Sequence, residues 1–245
     1  MLMKTQPLLQ ELLEQGYEAF AQLRKPETLE ASALRDPARI LKRLTSKPLR
    51  LLQIEDMQEY ASAAFSTVGT IADYQHFLPR ILELSTQSSI IEPEVIALKL
   101  KKGNWRAWLP NQQDIIEKIF MAACCGAFRQ HPDNCLADGW LVGIAILDID
   151  FGLARSDLTK SSSGVCALQL AHLVLSELPF ASEPFERGYW MEVPDSTIQI
   201  VRSWLLGPEM RNLLSNMRLS VRSEDVWLLE QALAKQEQLL HRRPQ

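Results

Sequence analysis

The stretch from Thr70 to Leu84, TIADYQHFLPRILEL, restricts the fold of this chain more than any other. Thr70 and Asp73 stand where an N-cap residue and its reciprocal partner stand in a capping box. From there Tyr74, Phe77, Leu78, Ile81 and Leu82 fall on one apolar stripe at helical spacing. Asp73, His76, Arg80 and Glu83 fall on the opposite face, which the pattern predicts to be polar and accessible. Pro79 removes an amide that would have bonded to the Gln75 carbonyl, so a kink or a restart is expected there. A kinked amphipathic helix suits curved stacks of helical hairpins.

The rest of the chain reads the same way. No segment sustains the period-two alternation of a strand, and helical signals follow one another from end to end, so the fold class is all-α. Leu8, Leu9, Leu12, Leu13, Phe20 and Leu23 give a first helix, and Asp36-Pro37 opens a second that runs to about Leu44. Ile54 to Phe65 and Ala72 to Leu84 form a hairpin around Gly69. Pro93 to Lys102 ends at Gly103, and Pro110 opens a helix to about Phe128. Asp133 to about Ile149 and Val165 to Leu178 come next, separated by the loop Ser161-Ser162-Ser163-Gly164. After a stretch marked by Pro179, Pro184 and Pro194, a helix ends at Gly207, Pro208 starts another, and Ser223 caps a last one to about Leu240. Helical starts near Ile54, Pro93 and Asp133 lie about forty residues apart, close to the period of HEAT-type helix pairs. The expected architecture is therefore an irregular HEAT-like α-solenoid of stacked hairpins over 51–245, with N-terminal helices over 1–50.

Several motifs keep a fixed order along this pattern: the His-Phe-Leu-Pro-Arg stretch (His76 to Arg80), the turn GNWRAWLP (Gly103 to Pro110), the long helix after it, and the Tyr-Trp and Val-Arg-Ser-Trp-Leu segments between Tyr189 and Leu205. From about Leu51 to Leu219 the chain resembles a group of uncharacterised bacterial proteins that share an aspartate, a His-Phe-Leu-Pro-Arg stretch and an acidic-Leu ending. The resemblance implies a fold and a bacterial origin, and transfers no residue role.

The 47% hydrophobic and 23% charged fractions are those of an ordinary globular protein, and a net charge of −4 makes nucleic acid an improbable partner for the whole surface. Arg35, Arg39, Lys42, Arg43, Lys47 and Arg50 are a local exception, opposed within their stretch only by Asp36. Such a run either faces an anion or an acidic partner, or is a solvated helix face. The opening MLMKTQPLLQELLEQ reads as an amphipathic helix because Gln6, Gln10, Glu11 and Glu14 interrupt any export core. Trp140 to Ile149, the longest apolar stretch, is far shorter than the roughly 20 residues of a membrane span. A cytoplasmic location follows as the expectation, with no membrane partner and with the four cysteines as free thiols.

Motifs that carry chemistry are incomplete. Asp150-Phe151-Gly152 resembles the magnesium loop of protein kinases, with His131-Pro132-Asp133 upstream, but no glycine-rich loop or strand lysine precedes it. Phe151 and Leu153 are expected in the core, and Asp148 with Asp150 forms a short acidic pair. Cys124, Cys125, His131 and Cys135 are zinc-type ligands in an unsuitable spacing, because adjacent cysteines on one helix point apart. His172 lies among apolar neighbours. His76 could serve as a general base oriented by Asp73, with Arg80 holding an anion, although no nucleophile accompanies them. Trp105 and Trp108 flank Arg106 in a turn, a combination common at protein contacts as well as in helix junctions.

These readings lead to a protein that binds another protein without a cofactor, catalytic residue or metal: an adaptor, or an inhibitor of an immunity type. Asp73, His76, Arg80, Trp105 and Trp108 are its candidate binding residues, and self-association is compatible with it. A hydrolase with its site around Asp73, His76 and Arg80 is the alternative.

Overall fold

The computed structural model describes residues 8–241 apart from Glu177 and Ser182. The part of the expected first helix from Met1 to Pro7 lies outside the described residues. The described chain is helical, and its only β-type pairings are two isolated bridges, Ala31 with Val68 and Ala64 with Val68. The chain forms two compact units, Met1–Ala123 and Cys124–Gln245.

In the first unit α1 (Leu9–Ala19), α2 (Pro37–Leu44), α3 (Ile54–Ala63), α4 (Ile71–Ser85) and α5 (Pro93–Lys102) lead into α6 (Pro110–Ala127), within which the unit ends. Local chemistry sets the starts. The Asp36 carboxylate accepts from the Arg39 amide at 3.0 Å ahead of Pro37. Gln53 and Asp56 box the start of α3, and Thr70 and Asp73 box α4, where the Asp73 carboxylate accepts from the Thr70 amide at 2.7 Å. Gly69 turns the chain just before with φ 71°, a conformation open to glycine without penalty. Helix α4 runs through Pro79 without the expected restart. Pro79 is itself buried, and Phe77, Leu78, Ile81 and Leu82 around it are each at most 1% exposed, so packing holds the backbone helical despite the lost bond. At the end of α5, Gly103 caps with an ordinary φ of −77°, and Asn104 takes the left-handed conformation instead. Consecutive helices α2, α3, α4 and α5 pack pairwise in chain order, and α1 packs on α4.

The second unit holds α7 (Asp138–Ile146), α8 (Gly152–Thr159), α9 (Gly164–Leu175), α10 (Asp195–Leu205), α11 (Pro208–Met217) and α12 (Val226–His241). Helix α7 is buried on every face, as an all-apolar helix must be. It starts at Asp138 and not at Asp133, because Gln169 of α9 captures the preceding turn. The Gln169 amide donates to the carbonyls of Gln130 (2.8 Å) and Cys135 (2.5 Å), and its oxygen accepts from the Ala137 amide (3.1 Å). Helix α8 was not foreseen in the sequence; its short span has no apolar stripe, and Leu153, expected in the core, is 85% exposed while Phe151 is buried. Helix α9 ends at Leu175 and not at Leu178, and Ser223 opens a 3-10 turn, Ser223–Asp225, ahead of α12. Helix α9 packs most extensively on α12, and both pack on α11. No helix of the described residues is long and apolar enough to cross a membrane.

Candidate functional site

The polar stripe of α4 is a packing surface. Arg80, expected to be accessible, is 6% exposed: its Nε donates to the Leu52 carbonyl at 2.7 Å and its Nη1 to Glu83 at 2.6 Å. Glu83 in turn accepts from the Tyr17 hydroxyl of α1 at 2.5 Å. Burial, reinforced by the neighbouring carboxylate, pushes the Tyr17 phenol well above its usual range. His76 is half-buried with Nδ1 3.1 Å from the Leu23 carbonyl, and its ring stands edge-on to Phe77. Asp73 is engaged with the Thr70 amide and hydroxyl. The sequence places these side chains on one face correctly, and the structure shows that α1 and the Leu49–Leu51 turn cover much of that face.

The basic stretch is likewise met from within. Arg39 and Arg43 both reach Glu59 of α3, Lys47 pairs with Asp56 at 2.9 Å, and Arg50 pairs with Glu14 while lying over the Tyr17 ring at 3.9 Å. Acidic groups supplied by α1 and α3 thus offset a run that looked uncompensated in sequence. Trp105 is buried beneath the Arg106 guanidinium, which pairs with Glu117. Trp108 is partly buried, donates from its indole to the Gly103 carbonyl at 3.1 Å and packs edge-on against Phe20. The two rings join helices of the first unit.

In the second unit Asp150 accepts from the Gly152 amide at 2.8 Å and starts α8, so Asp150-Phe151-Gly152 is a helix start with Phe151 in the core. Cys124 and Cys166 are buried, Cys125 and Cys135 partly so, and burial pushes all four thiols up, which keeps them protonated. His131 lies 2.9 Å from Arg222 and 3.4 Å from Asp225, tying the turn after α6 to the start of α12. Among the described residues no group of three His, Cys, Asp or Glu is placed to hold a metal ion.

What the sequence did not reveal is a polar groove on the second unit. Two adjoining hollows of about 500 Å³ and 480 Å³ share Glu209. Arg155 of α8 lines the first with Gln199 and Ser203 of α10, and Thr159 of α8 and Lys160 line the second with Asn212 and Asn216 of α11. Trp204, nearly buried, also lines the first hollow, its indole donating to the Thr159 hydroxyl at 2.8 Å. Arg155 lies by the Phe151 ring, and neither it nor Lys160 has a carboxylate partner among the described residues. Gln199, Ser203, Asn212 and Asn216 are all exposed. The one legible sign was the polar spacing along α10 and α11, which any solvated helix face shares. No family model, curated protein or solved structure matches this chain.

Proposed function

We propose that this protein works by binding another protein, as an adaptor or inhibitor, and that an extended segment of the partner lies in the polar groove of the second unit. The observation carrying this reading is the pair Asn212 and Asn216 on one groove-facing side of α11. Residues four apart on a helix rise about 6 Å. An extended chain repeats every two residues, roughly 6.7 Å. Two carboxamides at that spacing meet successive peptide groups of the same chain face, each offering the donor and the acceptor that a peptide group needs. Arg155 and Lys160 then supply charge for an acidic side chain of the ligand. The HEAT-like stack of hairpins that we propose over 51–245 draws its support from the consecutive packing of α3, α4 and α5. Asp73, His76 and Arg80, on which the hydrolase alternative rests, engage the Thr70 amide, the Leu23 carbonyl and Glu83 respectively, and this local engagement favours the binding reading.

Selection of unstructured peptides from a random display library on the immobilised protein tests the proposal. Peptides rich in acidic residues are expected, and the double change Asn212→Ala and Asn216→Ala should weaken their binding about thirtyfold or more, from the loss of at least one hydrogen bond of about 1 kcal/mol at each carboxamide. Thermal stability should not change, since both side chains are exposed. Peptides that bind the doubly substituted protein equally well would refute the groove as the site.

A further inference from the structure

The turn between α3 and α4 brings a serine hydroxyl against a buried lysine. Phe65 sits in the left-handed region with φ 32°, a conformation that costs a bulky side chain free energy and persists where surroundings enforce it. Its ring packs edge-on to Tyr74 and lies near the Lys99 ammonium, at 5.7 Å. The reversal at Phe65 leaves Ser66 exposed. Lys99, from α5, is only 7% exposed, and its Nζ lies 2.8 Å from the Ser66 hydroxyl oxygen and 3.0 Å from the Ala64 carbonyl. The exposed Lys102, one turn later on α5, places its Nζ 3.4 Å from the same hydroxyl.

We propose that Ser66 is a nucleophile and Lys99 its general base, a Ser–Lys pair that accepts an acyl group from a carboxylic ester. A lysine works as a base only when neutral, and burial, helped by the positive charge of Lys102, lowers the Lys99 ammonium to about 8. No carboxylate contributes to that balance. Neutral Lys99 keeps its donation to the Ala64 carbonyl and accepts from the Ser66 O–H. The Ser66 oxygen then bonds to the ester carbonyl carbon as its proton passes to Lys99, and collapse of the tetrahedral adduct breaks the bond to the alcohol, which leaves with the proton from Lys99. Water then attacks the acyl-serine carbonyl as one of its protons passes to Lys99, and when the bond to the Ser66 oxygen breaks that proton returns from Lys99 to Ser66, releasing the acid and leaving Lys99 neutral. The amides of Phe65, Ser66 and Thr67 are all spent on carbonyls of the same turn, so no backbone oxyanion hole assists. Turnover is therefore slow, because such donors are each worth about 100-fold or more. This site lies in the first unit and stands or falls independently of the peptide groove.

A fluorophosphonate probe tests it on the full chain. The Ser66 oxygen displaces fluoride from phosphorus and its proton goes to Lys99, leaving a stable adduct that peptide mass mapping locates. The expected result is one adduct, on Ser66, forming about tenfold faster per pH unit below pH 8 and levelling above it, as a neutral-base requirement dictates. Ser66→Ala abolishes it, and Lys99→Met slows it about 100-fold at pH 9. Lys102→Gln keeps the adduct but moves the midpoint of the pH profile upward, because a charge that lowers the Lys99 ammonium is gone. That shift decides the matter even if Lys99→Met does not fold. An absent or scattered adduct, a pH-independent rate, or a profile that Lys102→Gln leaves in place would overturn the proposal.

Discussion

Arg80 shows how far a residue's surroundings can depart from its position in a pattern. Helical periodicity puts it opposite Leu78 and Leu82 on a polar face, yet it is nearly as buried as they are because α1 and the Leu49–Leu51 turn close over it. Its guanidinium is accommodated there by satisfied hydrogen bonds, Nε to Leu52 and Nη1 to Glu83, and Glu83 holds Tyr17. Arg80→Glu would set a second carboxylate against Glu83 and leave the Leu52 carbonyl without its donor. Breaking a buried pair of this kind costs about 3 to 5 kcal/mol. Urea denaturation should show that loss, and a change below about 0.5 kcal/mol would mean that the face opens to solvent and pays no such penalty. His76 and Asp73 belong to the same lesson, since each spends its polar atoms locally. Sequence reveals which face such residues occupy. It does not reveal what lies against that face.

Among the elements, α4 was the most legible and α8 the least. Helix α4 has a capping box at its start and an apolar stripe sustained over its length, two independent signals that agree, and its observed bounds lie within a residue of those expected. Leu78, at its centre, is fully buried, so Leu78→Ala should cost about 2 to 5 kcal/mol by equilibrium unfolding; a loss under about 0.5 kcal/mol would be incompatible with that burial. Helix α8 has only eight residues, with Leu153 directed into solvent, and short helices form through tertiary packing more than through propensity. The start of α7 was misplaced for a related reason. The helix was expected from Asp133, but the carbonyls and amide of that turn are claimed by Gln169, distant in sequence on α9.

For the molecule as a whole, two compact units each carry a core of their own. Tyr60, Tyr74, Phe77 and Phe120, all fully or almost fully buried, come from the first. A fragment from Met1 to Ala127, which keeps α6 whole, should therefore melt cooperatively when followed by circular dichroism. A gradual melt without a transition would show that this core is incomplete. The sequence by itself determined that the protein is all-helical, where most helices begin and which residues make the buried stripe of α4, because capping, proline placement and periodicity act over a few neighbouring residues. Only the tertiary structure decided that Arg80 is buried, that Gln169 fixes the turn before α7, that the polar faces of α10 and α11 border a groove with α8, and that Ser66 meets Lys99, 33 residues away. Those outcomes depend on which surfaces meet when helices pack, and a local pattern leaves the meeting partner unspecified.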